Sequence, residues 1–280
     1  MIHAMDIHGL LWLAALAGAL LATGLVAGLM AGLLGVGGGI VIVPVLYNLF
    51  AWLGIDSGVR MHVAVATSLA TIIPTSIVSA RAHYQRGSLD PGLLRSLAPG
   101  VVAGVLAGTA LAGWVSGAVL TGVFAVVALI VAVNMALRVS SAALAEGLPG
   151  KPARLALGAV IGGFSSLMGI GGGTLSVPLL SLFDVPMRRA VGTAAAIGLI
   201  ISVPGALGMV ISGLGAPHLP PGSLGYVNLI GFALIVPVTV LMAPVGARLA
   251  HSVNPLRLRQ VFALFLLLTS LRMFVDLFGG

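Results

Sequence analysis

The chain has 280 residues, 59% of them hydrophobic and 7% charged, with a formal net charge of +7 and a mean hydropathy of +1.20. A soluble fold of this size needs far more polar surface, so the composition selects a polytopic membrane protein. With no cysteine in the chain, disulfides, thiolate catalysis and cysteine-held metals are excluded.

In chain order, apolar segments fall at about 10–34, 36–53, 61–82, 93–112 and 116–138, then at about 154–168, 170–183, 189–213, 226–248 and 257–278. Those near 20 residues are long enough to cross the hydrocarbon core, about 30 Å thick, as helices. The first, Leu10 to Leu34, lacks the charged start and short apolar core of a signal peptide and is expected to be a retained span. The 170–183 segment is short for a crossing and predicts a half-helix or re-entrant element. The expected fold is all-α, with 8–10 transmembrane segments and two glycine-broken helical hairpins. The basic residues lie singly or in pairs between these segments, without a basic stripe, so they are expected to anchor cytoplasmic loops and not to bind nucleic acid.

A motif recurs within these segments. Gly35-Val36-Gly37-Gly38-Gly39-Ile40-Val41-Ile42-Val43-Pro44 returns 134 positions later as Gly169-Ile170-Gly171-Gly172-Gly173-Thr174-Leu175-Ser176-Val177-Pro178. Smaller matches keep the same order: Val65-Ala66-Thr67 with Val191-Gly192-Thr193, Gly87-Ser88-Leu89 with Gly222-Ser223-Leu224, and Val123-Phe124-Ala125 with Val261-Phe262-Ala263. The pattern predicts an internal duplication, with a first transmembrane repeat at 1–139, a cytoplasmic connection at 140–153 and a second repeat at 154–280.

Charge placement orients the halves. Arg81, Arg86 and Arg95 flank the 83–92 loop, whereas the matching 214–225 loop has no Lys or Arg. Arg248, Arg257 and Arg259 flank the 249–256 loop, whereas its counterpart at 113–116 has none. Opposite bias in matching loops predicts opposite sides, hence inverted repeats. With the basic loops inside, both termini are expected in the periplasm.

Consecutive glycines weaken a helix by roughly 1 kcal/mol each and admit positive φ. Irregular backbone at membrane depth survives only where protein or a water-filled cavity satisfies it. The spacing therefore predicts a break at Gly37, Gly38 and Gly39, a new helix from about Ile40–Val43, and Pro44 in its first turn. Gly171, Gly172 and Gly173 repeat the arrangement and add the hydroxyls of Thr174 and Ser176. The free N–H groups and positive end of such a helix suit an anion. Thr67, Ser68 and Thr193, in the segments after each break, are candidate hydroxyl ligands, against the bland alternative that they bond their own helical turn. Asn48 is a weaker candidate donor.

All six acids, Asp6, Asp56, Asp90, Glu146, Asp184 and Asp276, fall in loops or at span ends. A cation or proton pump usually carries a carboxylate within its spans, so the expected substrate is a small anion. His62, Arg81 and His83 lie near span ends, where the bland reading is interfacial anchoring; His83 is also a candidate for coupling protons. No metal spacing, catalytic residue or cofactor motif is found. The expected partners are the anion and the lipid bilayer, and a homo-oligomer is compatible with the sequence.

The doubled glycine motif, together with His62-Val63-Ala64-Val65-Ala66-Thr67-Ser68-Leu69 and Arg189-Ala190-Val191-Gly192-Thr193-Ala194, resembles the sulfite exporter TauE/SafE family over nearly the whole chain. Ala66 departs from that family's usual glycine and Ala194 from its usual serine. The resemblance implies a bacterial inner-membrane permease exporting sulfite or an organosulfonate such as sulfoacetate. Two rivals stand beside a carrier: an anion channel with the same site, and a membrane subunit of a larger complex.

Overall fold

The computed structural model describes residues 7–34, 37–136, 147–249 and 255–279. In lipid every backbone polar group needs an internal partner, which confines these apolar runs to helices. Ten helices result among the described residues: α1 (Ile7–Leu34), α2 (Gly39–Trp52), α3 (Ser57–Gln85), α4 (Pro91–Trp114), α5 (Gly117–Ala136), α6 (Lys151–Met168), α7 (Gly173–Ser181), α8 (Met187–Ser212), α9 (Leu229–Leu249) and α10 (Pro255–Phe278).

Seven of these, α1, α3, α4, α5, α8, α9 and α10, are long and apolar enough to cross a membrane, against the 8–10 expected. The 18 residues of α6 rise only about 27 Å, and Lys151 and Arg154 occupy its first turn. α2, with 14 residues, and α7, with 9, reach about 21 and 14 Å, so neither crosses alone. α10 exposes Val261, Leu268 and Val275, and α8 exposes Leu207 and Ile211, as lipid-facing surfaces do.

Local chemistry sets several helix ends. Asp56 accepts the Gly58 N–H at 2.7 Å at the start of α3. Asp90 accepts the N–H groups of Gly92 and Leu93 at 2.9 and 3.1 Å at the start of α4, where Pro91 is preset for the first turn. Pro44 and Pro178 lie inside α2 and α7, each as the sixth residue, so the prolines fall in the second turn and not the first. The helices start at Gly39 and Gly173 because the preceding glycines, and not the prolines, end the irregular backbone.

The principal contacts pair α1 with α9, α4 with α6, α3 with α8, and α5 with α10. α2 packs on α3 and α7 on α8, while α4 also meets α8 and α9 meets α3. Exchanging α1–α5 for α6–α10 leaves this pattern unchanged. Small residues allow the close crossings: a β-carbon on Gly32 would run into the Ala243 carbonyl, and one on Gly104 into that of Ala159. α3 is central, with 72% of its apolar window buried against 28% for α9.

One element was not foreseen. At the end of the 214–225 loop, β1 (Ser223–Leu224) pairs antiparallel with β2 (Val227–Asn228), which takes up the first residues of the 226–248 apolar segment. Gly225, at φ 54°, turns the chain between them, and α9 begins only at Leu229.

Candidate functional site

The two glycine breaks meet inside the bundle. Gly37 and Gly38 adopt φ of 73° and 75°, values that side chains other than glycine rarely take. A β-carbon on Gly37 would stand 3.1 Å from Gly171 Cα, and one on Gly39 would collide with the Gly169 carbonyl. In the second copy, a β-carbon on Gly172 would lie 2.6 Å from the Ala194 carbonyl and 2.8 Å from Gly198 N. Gly35 and Val36, the first two motif positions, lie outside the described residues.

Two helices of partial length therefore begin beside this junction. The first N–H groups of a helix have no acceptor in their own helix. Gly39 and Ile40 at the start of α2, and Gly173 and Thr174 at the start of α7, have no backbone acceptor elsewhere among the described residues. The dipole adds positive potential at both starts. Thr174 and Ser176 are buried, and neither hydroxyl has a hydrogen-bond partner among the described residues. The arrangement offers donors and no carboxylate, the chemistry an anion requires.

Ser68 is at this junction. Its hydroxyl donates to the Gly169 carbonyl at 2.6 Å, tying α3 to the second break. Asn48 turns its amide toward its own helix and donates to the Pro44 carbonyl at 2.7 Å, while its Oδ1 is buried without a partner.

Thr67 and Thr193 are engaged elsewhere. Thr67 Oγ1 accepts the Asn228 N–H at 2.9 Å, and Thr193 Oγ1 accepts the Asp90 N–H at 3.1 Å. Asn228 in turn accepts the Gly231 N–H at 2.8 Å, as Asp90 does for α4. Sequence reasoning matched the two threonines but missed that each receives the residue that caps a neighbouring helix.

His62 is not an exposed anchor. It is buried, stacks on Tyr226 with ring centroids 4.9 Å apart, and places Nε2 3.1 Å from the Ala112 carbonyl. That contact assigns the proton to Nε2. His83 lies at the opposite end of α3. Ser88 Oγ donates to the His83 carbonyl at 3.0 Å, so His83 Nδ1, 3.0 Å from the same oxygen, is the donor in its own contact. Nε2 is then left with a lone pair, buried and without a partner among the described residues. His83 and Ser88 line a pocket of about 440 Å³ with Arg86, Arg188 and Val191. No cluster of His, Asp or Glu suited to a metal ion occurs among the described residues.

Against known proteins, the model of the sulfite exporter TauE/SafE family matches residues 20–273. The chain belongs to the sulfite exporter TauE/SafE family. It is 31% identical over 255 residues to a probable membrane transporter protein of Haemophilus influenzae, covering 91% of this chain and 97% of the relative. A probable membrane transporter protein of Methanocaldococcus jannaschii is 25% identical over 267 residues, covering 89% of this chain and 94% of the relative. The probable membrane transporter protein YunE of Bacillus subtilis is 29% identical over 228 residues, 73% of this chain and 83% of the relative. No solved structure matches. As a TauE/SafE member with seven long apolar helices, the chain is a multi-pass membrane transporter.

Proposed function

We propose that the protein is a secondary transporter, and not an enzyme, that moves a small oxyanion across the bacterial inner membrane by alternating access. The family description suggests sulfite, and an organosulfonate such as sulfoacetate presents the same kind of sulfur oxyanion. One observation carries the reading: two short helices start at abutting glycine breaks, Gly37 against Gly171, where uncommitted N–H groups and no carboxylates converge. Gly37, Gly38, Gly39, Gly171, Gly172 and Gly173 supply the close backbone approach, and Ser68, Thr174 and Ser176 add hydroxyls. Asn48 stands one helical turn beyond Pro44. Thr67 and Thr193 act one step back, holding the helices that frame the site. His83, whose Nε2 is free to take a proton, is the group placed to couple protons to transport.

Alternating access needs two halves that rock against each other, and inverted repeats provide them. The exchange symmetry of the helix contacts and the opposite charge bias of matching loops support that arrangement, with both termini periplasmic.

The test is counterflow. Proteoliposomes loaded with unlabelled sulfoacetate should accumulate external labelled sulfoacetate, with sulfite but not acetate competing. Saturable, trans-stimulated uptake is the carrier's signature. Flux that rises linearly with concentration would replace the carrier with a channel, and no flux of any oxyanion would sink the reading.

A further inference from the structure

α3 carries an unusual stripe. At 100° per residue, Ser68, Ile72, Ser76, Ser79 and His83 fall within an arc of about 80°. Over these fifteen residue steps the stripe rises about 22 Å, most of the hydrocarbon thickness.

Both breaks touch its first part. A β-carbon on Gly39 would lie 2.9 Å from Ser68 Oγ and 2.8 Å from Ile72 Cδ1, and one on Gly198 would lie 2.8 Å from Ser76 Oγ and 3.4 Å from Gly172 N. Its far end is His83, in the wall of the pocket with Arg86, Ser88 and Arg188.

Buried serines in helices usually bond a carbonyl of the preceding turn. On this helix Thr71 and Thr75 do so, at 2.7 and 2.8 Å. Ser76 Oγ, Ser79 Oγ and His83 Nε2 do not: all three are buried and have no partner among the described residues. An unpartnered buried polar group costs about 1–3 kcal/mol, so two hydroxyls and an imidazole nitrogen in a row are a poor way to build a packed interface. Nor does helix pairing require them. In the matching positions of α8, at the offset of 126 between Thr67 and Thr193, stand Ala194, Gly198, Ser202, Gly205 and Met209, largely apolar. The single hydroxyl there, Ser202, contacts the Leu199 carbonyl at 3.4 Å.

We propose that Ser76, Ser79 and His83 wall an oxyanion path from the glycine breaks to the pocket, and that Arg86 and Arg188 form its cationic mouth. The single ion pair among the described residues joins Arg189 to Asp90, so neither mouth arginine is neutralised by a carboxylate. Two exposed cations at a pocket mouth raise the local anion concentration. The three polar atoms are shut from solvent here, so this conformation holds the path closed, and parting α3 from α8 opens it. A passing sulfonate or sulfite would take hydrogen bonds from the hydroxyls that nothing in the protein uses.

This inference rests on the anion-transport reading, but its test needs no turnover. The chain has no native cysteine, so Ser76→Cys, Ser79→Cys and Ile77→Cys each present a single thiol. Ile77 lies on the opposite side of the same helix and is 50% exposed on the lipid-facing surface. In membrane vesicles, 2-sulfonatoethyl methanethiosulfonate applied from the His83 side should label Ser76→Cys and Ser79→Cys at least about tenfold faster than Ile77→Cys, because the reacting thiolate needs water. The anionic reagent should also outpace its trimethylammonium analogue once each is scaled to its rate with a free thiol. That preference should vanish when Arg86→Gln and Arg188→Gln are combined. Labelling no faster than at Ile77→Cys, equal scaled rates for the two reagents, or a preference that survives the double replacement would each overturn the proposal. Normal labelling without counterflow would fault the transport reading alone.

Discussion

Asn228 donates its backbone N–H to the hydroxyl of Thr67 at 2.9 Å, across 161 residues of chain. The same bond recurs where Asp90 donates to Thr193 at 3.1 Å. In each case a threonine on a central helix holds the capping residue that immediately precedes a helix packed beside it. Valine matches threonine in shape but accepts no hydrogen bond, so Thr67→Val strands a buried N–H. The expected loss is about 1–3 kcal/mol, read as a lower midpoint of thermal unfolding in detergent. Thr67→Ser should recover most of it. Thr193→Val should cost less, because the Asp90 N–H is only partly buried.

The glycine breaks predict a separation of strain from crowding. Gly38 has φ 75°, and a β-carbon there would sit 2.8 Å from the Ala27 carbonyl. Gly172 has an ordinary helical φ but no room. Gly54 has φ 70° with nothing within 4 Å. Gly54→Ala should therefore cost only the left-handed penalty, about 1–2 kcal/mol, and keep counterflow. Gly38→Val and Gly172→Val should abolish counterflow while the protein still inserts. Full transport by both valine variants would remove the breaks from the mechanism.

Asp90 performs two tasks of unequal weight. It caps α4 through two N–H groups and pairs with Arg189 at 2.9 Å, a contact in which the arginine side chain is 59% exposed. An exposed pair contributes at most about 1 kcal/mol and is screened by salt, whereas losing a cap costs about 0.5–2 kcal/mol. Asp90→Ala should lower the unfolding midpoint more than Arg189→Ala, and Asp90→Asn, which still caps, should resemble Arg189→Ala. High salt should narrow the gap between wild type and Arg189→Ala but leave that for Asp90→Ala largely intact.

The helices were legible because lipid leaves an apolar run no other form, and the glycine clusters placed both breaks within a residue or two of Gly39 and Gly173. The partners of Thr67 and Thr193 were not legible, since no local pattern announces a bond across 161 or 103 positions. The two-residue strands at Ser223–Leu224 and Val227–Asn228 are too short to show alternation; Gly225 was their one cue. His62 stands near the start of the 61–82 apolar run, where interfacial anchoring is the bland reading, yet α3 starts at Ser57, which carries His62 inside against Tyr226. Ser76, Ser79 and His83 share a visible spacing of three and four. Small residues at that spacing also serve ordinary helix packing, and only the absence of partners in the folded chain tells the two apart.

The orientation of the halves has a direct test. The link from α3 to α4 contains Arg86, and that from α8 to α9 contains no Lys or Arg, so the positive-inside rule puts the two on opposite sides. Gln85 and Leu214 are exposed positions at these links. In the cysteine-free chain, Gln85→Cys should react with a membrane-impermeant maleimide only from the cytoplasmic face, and Leu214→Cys only from the periplasmic face. An inverted duplication requires this result, because α3 and α8 then traverse the membrane in opposite senses. If both thiols react from the same face, the halves are parallel. The rocking mechanism would then lose its basis, even though the breaks at Gly37 and Gly171 still meet.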